Sequence, residues 1–365
     1  MKDKRIIQLI DSLEAGGAER MAVNYANALH REVGFSGLVV TRKQGPLREQ
    51  LQPQVPYLFL DKKKTLDWKA LWALRRFAVR HQANILHAHS TSFFLAVLLK
   101  CIYPKIRIIW HDHYGNSEFL EKREHKALKM ASVFFAGEIA VNQKLLDWGK
   151  RHLRCQEVIY LPNFVLEDNL KDGRKETVLQ GQEGKRILCL ANLRPQKGHF
   201  FLLDIAQKLK QSHPDWTFHL VGKDFGDDYS KRLHAQVEAD GLQQHVFIYG
   251  SRNDIAGILR QASIGILTSH SEGLPVSLLE YGLFKLPAVV TRVGEIPEIM
   301  DHSQGIIVGD GDLDAFVSGL QQMIDDKNVR ENYANALHNL IYTTFVGDAV
   351  LGKYLNWLSR INANG

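Results

Sequence analysis

Cysteine is scarce in this chain. Cys101, Cys155 and Cys189 are the only three in 365 residues, odd in number and far apart, with no metal-ligand spacing. Reduced thiols in a cytoplasmic protein are therefore expected rather than a disulfide framework. Long apolar runs are also missing. The most apolar stretch, 93–103, is broken by Lys100 and falls far short of the ~20 residues that span a bilayer. The apolar run at 5–10 is short and lies beside Asp11 and Glu14, so no secretory leader is expected. No zinc-finger, RRM or basic-helix pattern is present, which argues against nucleic acid as a partner. The full G-x-G-x-x-G of a dinucleotide fold is missing too.

What is present is ordinary in amount and uneven in place. Hydrophobic residues make up 45% and charged residues 24%, as in typical globular chains, and the length suggests two domains. Residues 1–165 carry 26 Lys and Arg against 15 Asp and Glu, whereas 166–365 carry 20 against 25. The excess of positive charge on the first half points to an anionic partner such as a membrane surface or a lipid-linked pyrophosphate. The stretch 61–82 is expected to form a helix with Leu66, Trp72, Leu74, Phe77 and Val79 among Lys69, Arg75, Arg76 and Arg80. Such a helix can lie on anionic lipid or pack its apolar stripe on a sheet.

Apolar strand patterns at 4–10, 37–41, 55–60, 83–89, 107–110, 138–141 and 158–165 alternate with helical ones. This predicts an α/β fold with a parallel sheet covered on both faces. Ligands of such sheets bind beyond the carboxyl ends of the strands. The first strand leads into Gly16 and Gly17 before a helix over 20–30, a turn in which the backbone can approach a phosphate. His87, His89, His111, Asp112 and His113 gather at other strand ends. They fit either a metal site or a rim that contacts sugar and phosphate.

The stretch 166–185 is polar and holds Gly173, Gly181 and Gly184, so an interdomain linker is expected there, mobile in part. The pattern then restarts. A strand over 186–191 leads into a loop with Arg194 and Lys197 beside Gly198, ahead of a helix over 200–211. Two cations at a helix N-terminus can clamp a diphosphate. Later strands are expected at 216–222, 246–250, 264–267, 287–291 and 305–308. Between 267 and 287 lie Glu272, Gly273, Leu274 and Pro275, then a helix over 276–284 with Pro275 at its first position. Glu280 sits in that helix among Leu278, Leu279, Tyr281 and Leu283, where a carboxylate suits ligand hydroxyls better than solvent.

The stretch SEGLPVSLLEYGLFKLPAVVT (271–291), followed by GEIPEI (294–299), resembles the signature of glycosyltransferase family 4 (glycosyl transferases group 1), a retaining family. That signature is Glu, seven residues, Glu in an EG-x-P frame, then a small-Pro-Val-Val strand and a Gly-x-x-Glu loop. GGAER after the first strand and the PNFV of 162–165 are similar to the family as well, with Phe164 in place of a glycine. The resemblance implies the GT-B fold, two Rossmann-like α/β domains facing a central cleft. The domains would be 1–165 on the acceptor side and 186–345 for the nucleotide sugar, joined by 166–185, with the helix at 346–363 crossing back onto the first.

The implied reaction is transfer of a hexosyl unit from a UDP- or GDP-linked sugar to an acceptor hydroxyl with retention, in polysaccharide, lipopolysaccharide or glycolipid synthesis. The implied acceptor is a glycan or a lipid-linked glycan. No cofactor and no metal are expected, and an Asp-x-Asp metal motif is expected to be absent. Lys197 and Arg194 would hold the donor pyrophosphate with N–H groups near Gly16, Gly17 and Gly273. The family's commoner arginine position is Asn192 here, which is counted with the donor contacts. Glu280 would hold the ribose. Glu272, with Gly273, Leu274 and Pro275, would hold the sugar hydroxyls, and His111 would contact the sugar or its phosphate. The base would sit near Ser251 and Arg252. The donor phosphate itself would take the acceptor proton. Alternative readings are a nucleotide-sugar 2-epimerase of the same fold and a non-catalytic nucleotide-sugar-binding subunit. Cytoplasmic location is expected, with peripheral contact to the inner face of the membrane.

Overall fold

Runs of Ile, Leu and Val flanked by glycine and polar turns pair into two separate parallel sheets, of seven and six strands. A computed structural model of the chain describes residues 1–14, 16–115, 117–168 and 177–363. It divides into one unit of Met1–Phe164 with Gly347–Gly365 and a second of Val165–Val346.

In the first unit the chain runs β1 (Arg5–Ser12), α1 (Gly17–Glu32), β2 (Phe35–Lys43), β3 (Tyr57–Phe59), α2 (Trp68–Arg80), β4 (Ile85–His89), α3 (Phe93–Ile102), β5 (Arg107–Asp112), α4 (Lys126–Ala131), β6 (Phe135–Ala140), α5 (Gln143–His152) and β7 (Val158–Tyr160). The strand order is β3-β2-β1-β4-β5-β6-β7. Sequence order reverses between β1 and β4, so the loops after these two strands border the switch point at which such sheets bind ligands. Leu71 and Leu74 of α2, Leu95 and Leu99 of α3 and Leu128 of α4 cover one face.

In the second unit β8 (Arg186–Leu190), α6 (His199–Ser212), β9 (Thr217–Val221), α7 (Asp228–Ala239), β10 (Val246–Gly250), α8 (Ile255–Leu259), β11 (Ile264–Leu267), α9 (Val276–Leu283), β12 (Ala288–Thr291), α10 (Ile296–Ile299), β13 (Ile306–Val308), α11 (Leu313–Asp325) and α12 (Lys327–Thr344) follow. The strand order is β10-β9-β8-β11-β12-β13, with its switch point between β8 and β11. The last helix, α13 (Gly347–Ala363), belongs to the first unit. There it lies on the other face of the seven-stranded sheet with Trp357 against the bare Cα of Gly137. Among the described residues no helix is long and apolar enough to cross a membrane.

Local chemistry explains where these elements depart from the pattern-based expectation. The helix expected over 61–82 begins only at Trp68, because Asp61 takes a positive φ of 50° and Asp67 caps the Ala70 N–H at 3.1 Å. The strand expected over 158–165 stops at Tyr160, two residues short of Pro162, which has no N–H to give a ladder. His111 and Asp112, expected beyond a strand ending at 110, are the last two residues of β5. Helix α4 ends at Ala131, and Phe135 opens β6 after one 3-10 turn, Ser132–Phe134. Pro275 is the residue before α9 rather than its first helical one.

The linker expected over 166–185 falls partly on 169–176, which lie outside the described residues. Its described end is packed. Leu179 is buried, and Thr177 donates both its N–H and its hydroxyl to Asp254, at 2.7 and 2.9 Å.

Candidate active site

The loops after β8 and β11 border the switch point of the second sheet and are tied to each other. His270 N–H donates to Gln196 O at 2.9 Å, and Thr268 Oγ1 to Lys197 O at 3.0 Å. Gly198, at φ 65°, comes so close that a Cβ there would lie 2.0 Å from Thr268 O. Only glycine fits that backbone at that distance.

This knot sets the central pair. Lys197 Nζ lies 2.6 Å from Glu272 Oε1, and Ser269 Oγ donates to the same oxygen at 2.6 Å. Glu272 is buried at 5% exposure while Lys197 keeps 24% of its side chain open. Gly294, in the loop after β12, closes over the backbone of Glu272, and Glu295 N–H donates to Gly273 O at 3.3 Å.

Helix α9 is fixed from below. Tyr281 Oη donates to the carbonyls of β8 and β11, Leu188 at 3.1 Å and Ile266 at 3.2 Å, and accepts from Leu190 N–H at 2.9 Å. Its ring covers Gly265, where any Cβ would clash. Gly282 lets Ile341 of α12 press against the helix. Glu280 is thereby held at 6% exposure in an otherwise apolar helix.

Arg194 is exposed, with its guanidinium 4.1 Å from the Phe225 ring centre. Asn192 accepts from Lys223 N–H at 2.7 Å and so ties the loop after β8 to the loop after β9. Leu274 is buried against the core of its unit. Arg252, beyond β10, is exposed and donates to Ser251 O at 2.9 Å.

Two Asp-x-Asp spacings correct the expectation that none occurs. They are Asp310-Gly311-Asp312 and Asp312-Leu313-Asp314. Each aspartate has a structural task at the start of α11. Asp310 holds His270 Nδ1 at 2.8 Å, Asp312 caps Ala315 N–H at 3.0 Å, and Asp314 pairs with Lys208.

In the first unit, Gly16 directly precedes α1, and the Glu19 carboxylate folds back over it. The histidines form a stack under α1 and α13. His87 Nε2 lies 3.1 Å from His111 Nδ1, His89 Nδ1 lies 3.0 Å from His113 Nε2, and His89 Nε2 lies 2.8 Å from Gln8 Oε1. Tyr25 meets the rings of His87 and His111 edge-on, and Phe164 fills the space on its far side. Burial, reinforced by neighbouring histidines, holds His87, His89 and His111 well below the ordinary 6.5. Burial alone brings His113 down to about 3.

One nitrogen from each of His87, His89 and His111 falls within a 4.8 Å spread, the one candidate metal cluster among the described residues. A shared ion at ~2.1 Å from each nitrogen would need them about 3.4 Å apart and free of other partners. The ring-to-ring, Tyr354 and Gln8 hydrogen bonds already use both nitrogens of His87 and of His89.

A cavity of about 450 Å³ opens beside the stack, lined by Ser90, Phe93, Trp110, His113, Tyr114 and Leu128 among others. Ser90 holds a positive φ of 50° there, with its carbonyl taken by Trp110 Nε1–H at 2.9 Å. Asp112 and Arg123 bridge the cavity's polar side through two hydrogen bonds of 2.6 and 2.9 Å. Arg123 is also sandwiched between Tyr114 and Trp148. Ser269, Arg123 and the cavity were missed in the sequence. Only Ser269 carries a local signal, three residues ahead of Glu272.

All three cysteines are free, with Cys155 and Cys189 buried. Burial pushes both of these thiols up to about 12, so they pack as small apolar groups.

Solved structures that superpose on this chain include a glycosyltransferase from Rickettsia africae. Anabaena HepE, solved with UDP and glucose, superposes at a TM-score of 0.79 with 20% identity, covering 98% of this chain and 99% of that one. A sucrose-phosphate synthase from Thermosynechococcus elongatus superposes at 0.78 with 14% identity, covering 99% and 100%. The two parallel sheets therefore define a GT-B fold. Residues 15–169 match Glycosyltransferase Family 4, and residues 173–339 match Glycosyl transferases group 1. The chain belongs to this glycosyltransferase family, and it is a glycosyltransferase.

Among curated relatives, the UDP-Gal:alpha-D-GlcNAc-diphosphoundecaprenol alpha-1,3-galactosyltransferase of Escherichia coli is 22% identical over 88% of this chain and 87% of its own length. The amylovoran biosynthesis glycosyltransferase AmsD of Erwinia amylovora is 23% identical, over 91% of this chain and 93% of its own.

Proposed function

We propose that the protein transfers a hexosyl unit from a UDP-sugar to a hydroxyl of a lipid-linked glycan, with retention at the anomeric carbon. The observation that carries this reading is the Lys197–Glu272 pair at the switch point of the second sheet. A cation with one flank open and a buried carboxylate can receive a diphosphate and the hydroxyls beside it. Lys197 offsets the charge that grows on the departing diphosphate. Glu272 and Glu280 accept from hydroxyl groups, and His111 makes a hydrogen bond to the donor. Arg194 reaches the phosphates from its seat on Phe225. UDP is favoured over GDP because HepE was solved with UDP and the Escherichia coli relative is named for UDP-Gal.

The acceptor side is read from the first unit. The cavity beside Trp110 and Tyr114 is largely aromatic and apolar. The outer side of α2 exposes Trp68 and Trp72 next to Lys69 and Arg76. Both features suit an acceptor presented at an anionic membrane surface. The reading is tested by thermal shift with UDP, GDP, ADP and their sugars, with and without Mg²⁺. A nucleotide at 100 times its Kd stabilises by ~2.7 kcal/mol. A metal-independent shift with UDP that disappears in Lys197→Ala is expected. No shift with any nucleotide would sink the donor site, and an inverted anomeric centre in the product would remove the claim of retention.

A further inference from the structure

His111 sits at the end of a buried hydrogen-bonded chain. Tyr354 Oη of α13 lies 3.2 Å from His87 Nδ1, and His87 Nε2 lies 3.1 Å from His111 Nδ1. All three side chains are buried, at 0–1% exposure. His111 Nε2, at the far end, is buried and meets no hydrogen-bond partner among the described residues.

A neutral imidazole carries one ring proton, so the chain has only two self-consistent hydrogen arrangements. In one, Tyr354 O–H donates to His87 Nδ1, His87 Nε2–H donates to His111 Nδ1, and His111 carries its proton on Nε2. In the other every bond is reversed. Tyr354 then accepts from His87, and its own hydroxyl proton has no acceptor among the described residues. The first arrangement leaves one buried group unpaired, the His111 Nε2–H, whereas the reversed one leaves two, the Tyr354 hydroxyl proton and the His111 Nε2 lone pair. Each stranded group is costly, which selects the first.

We propose that Tyr354 and His87 are positioning residues that fix His111 as the Nε2–H tautomer, so that His111 presents a neutral hydrogen-bond donor to a substrate oxygen. The ligand group is an acceptor oxygen, either phosphoryl or sugar hydroxyl. This role rests on the donor-binding reading of His111 above. It assigns His111 binding and orientation, and no part in proton transfer. Burial agrees, because it leaves the three rings neutral at neutral pH.

The test begins with the intact, nucleotide-free protein labelled with ¹⁵N-histidine. Long-range ¹H–¹⁵N spectra at pH 7.5, with His111 assigned through His111→Gln, are expected to show its proton on Nε2. A proton on Nδ1 would overturn the proposal, and the tautomer itself is read on the wild-type protein, with the variant serving only to assign the signal. Tyr354→Phe keeps the ring but removes the proton source, so His111 is expected to become a mixture of tautomers. Binding is then read with UDP and with UDP-glucose. A ~10-fold loss for both identifies a phosphoryl oxygen, and the same loss for UDP-glucose alone identifies a hydroxyl. A changed tautomer with unchanged binding of both would refute the positioning role. If the wild-type chain shows the Nε2–H signature but binds neither ligand, the donor reading fails and the tautomer assignment stands.

Discussion

Lys197 Nζ reaches Glu272 Oε1 at 2.6 Å although 75 residues separate the two in sequence. The contact joins the loops after β8 and β11, and the six-stranded order puts these loops side by side. On the proposed reading, a diphosphate entering this site would compete with Glu272 for the ammonium, so the pair would be both a stabilising contact and the group the substrate must share.

Those two roles are separable. Lys197→Ala is expected to lower turnover by roughly 10²–10³-fold. It also leaves a buried carboxylate with only its hydrogen bonds, at a cost of up to ~3 kcal/mol. Adding Glu272→Gln to that variant should recover most of the stability and none of the turnover. Urea midpoints and initial rates measured on the same samples decide it. Recovery of activity together with stability would reduce Lys197 to a structural cation.

Two glycines provide an internal comparison. Gly198 has φ 65° with Thr268 O in contact, whereas Gly184 has φ 84° and open space around it. Gly184→Ala should cost only left-handed strain, ~1 kcal/mol. Gly198→Ala adds a clash and should cost ~3 kcal/mol or more, and it displaces Lys197. Equal losses of midpoint in the two variants would mean that the two loops are not packed as described.

Glu138 of β6 is fully buried, and burial, with nearby Asp112 adding to it, raises its carboxyl to about 8 from 4.5. The folded chain therefore holds a proton that the unfolded chain has released, and stability falls as pH climbs from about 4.5 to 8. The buried histidines act in the opposite sense. The unfolded chain takes up protons on them below 6.5, so stability falls as pH drops under that value. A stability maximum near pH 6.5 is expected. Glu138→Gln should flatten the alkaline side by ~1.4 kcal/mol per pH unit and steepen the acid side between pH 5 and 6.5 by a similar amount, because the Glu138 slope runs through both. Chemical denaturation at pH 5, 6.5 and 8.5 measures both limbs, and an unchanged alkaline limb in the variant would refute the assignment.

Trp68 and Trp72 stand outward on α2 while Leu71 and Leu74 face the sheet. Replacing both tryptophans with alanine should reduce sedimentation with phosphatidylglycerol vesicles ~10-fold or more. The folding midpoint should stay within a degree or two. Equal sedimentation of the wild-type chain with phosphatidylcholine vesicles would argue against an anionic surface as the partner.

Much of this molecule was legible before any coordinates. Strand and helix patterns report burial of one face or both. The segments 246–250 and 264–267 agree with β10 and β11 to the residue. Loop chemistry was legible where it is local, as in Gly198 beside Lys197 and Glu272 before α9. The sequence pattern could not reveal that Asp67 starts α2, because seven residues of matching composition precede it. Nor could it reveal that the three aspartates at 310, 312 and 314 are each occupied.

The sequence by itself determined the alternating pattern, the two sheets it builds and the residue types in each strand-end loop, because period and turn chemistry are short-range. Only the tertiary structure decided which of those residues meet. It brought Ser269 to the Lys197–Glu272 pair, closed Arg123 on Asp112, and carried Tyr354 to His87 across 267 residues. Such contacts depend on strand order and on helices from distant parts of the chain packing over one sheet face, and no local pattern encodes that distance.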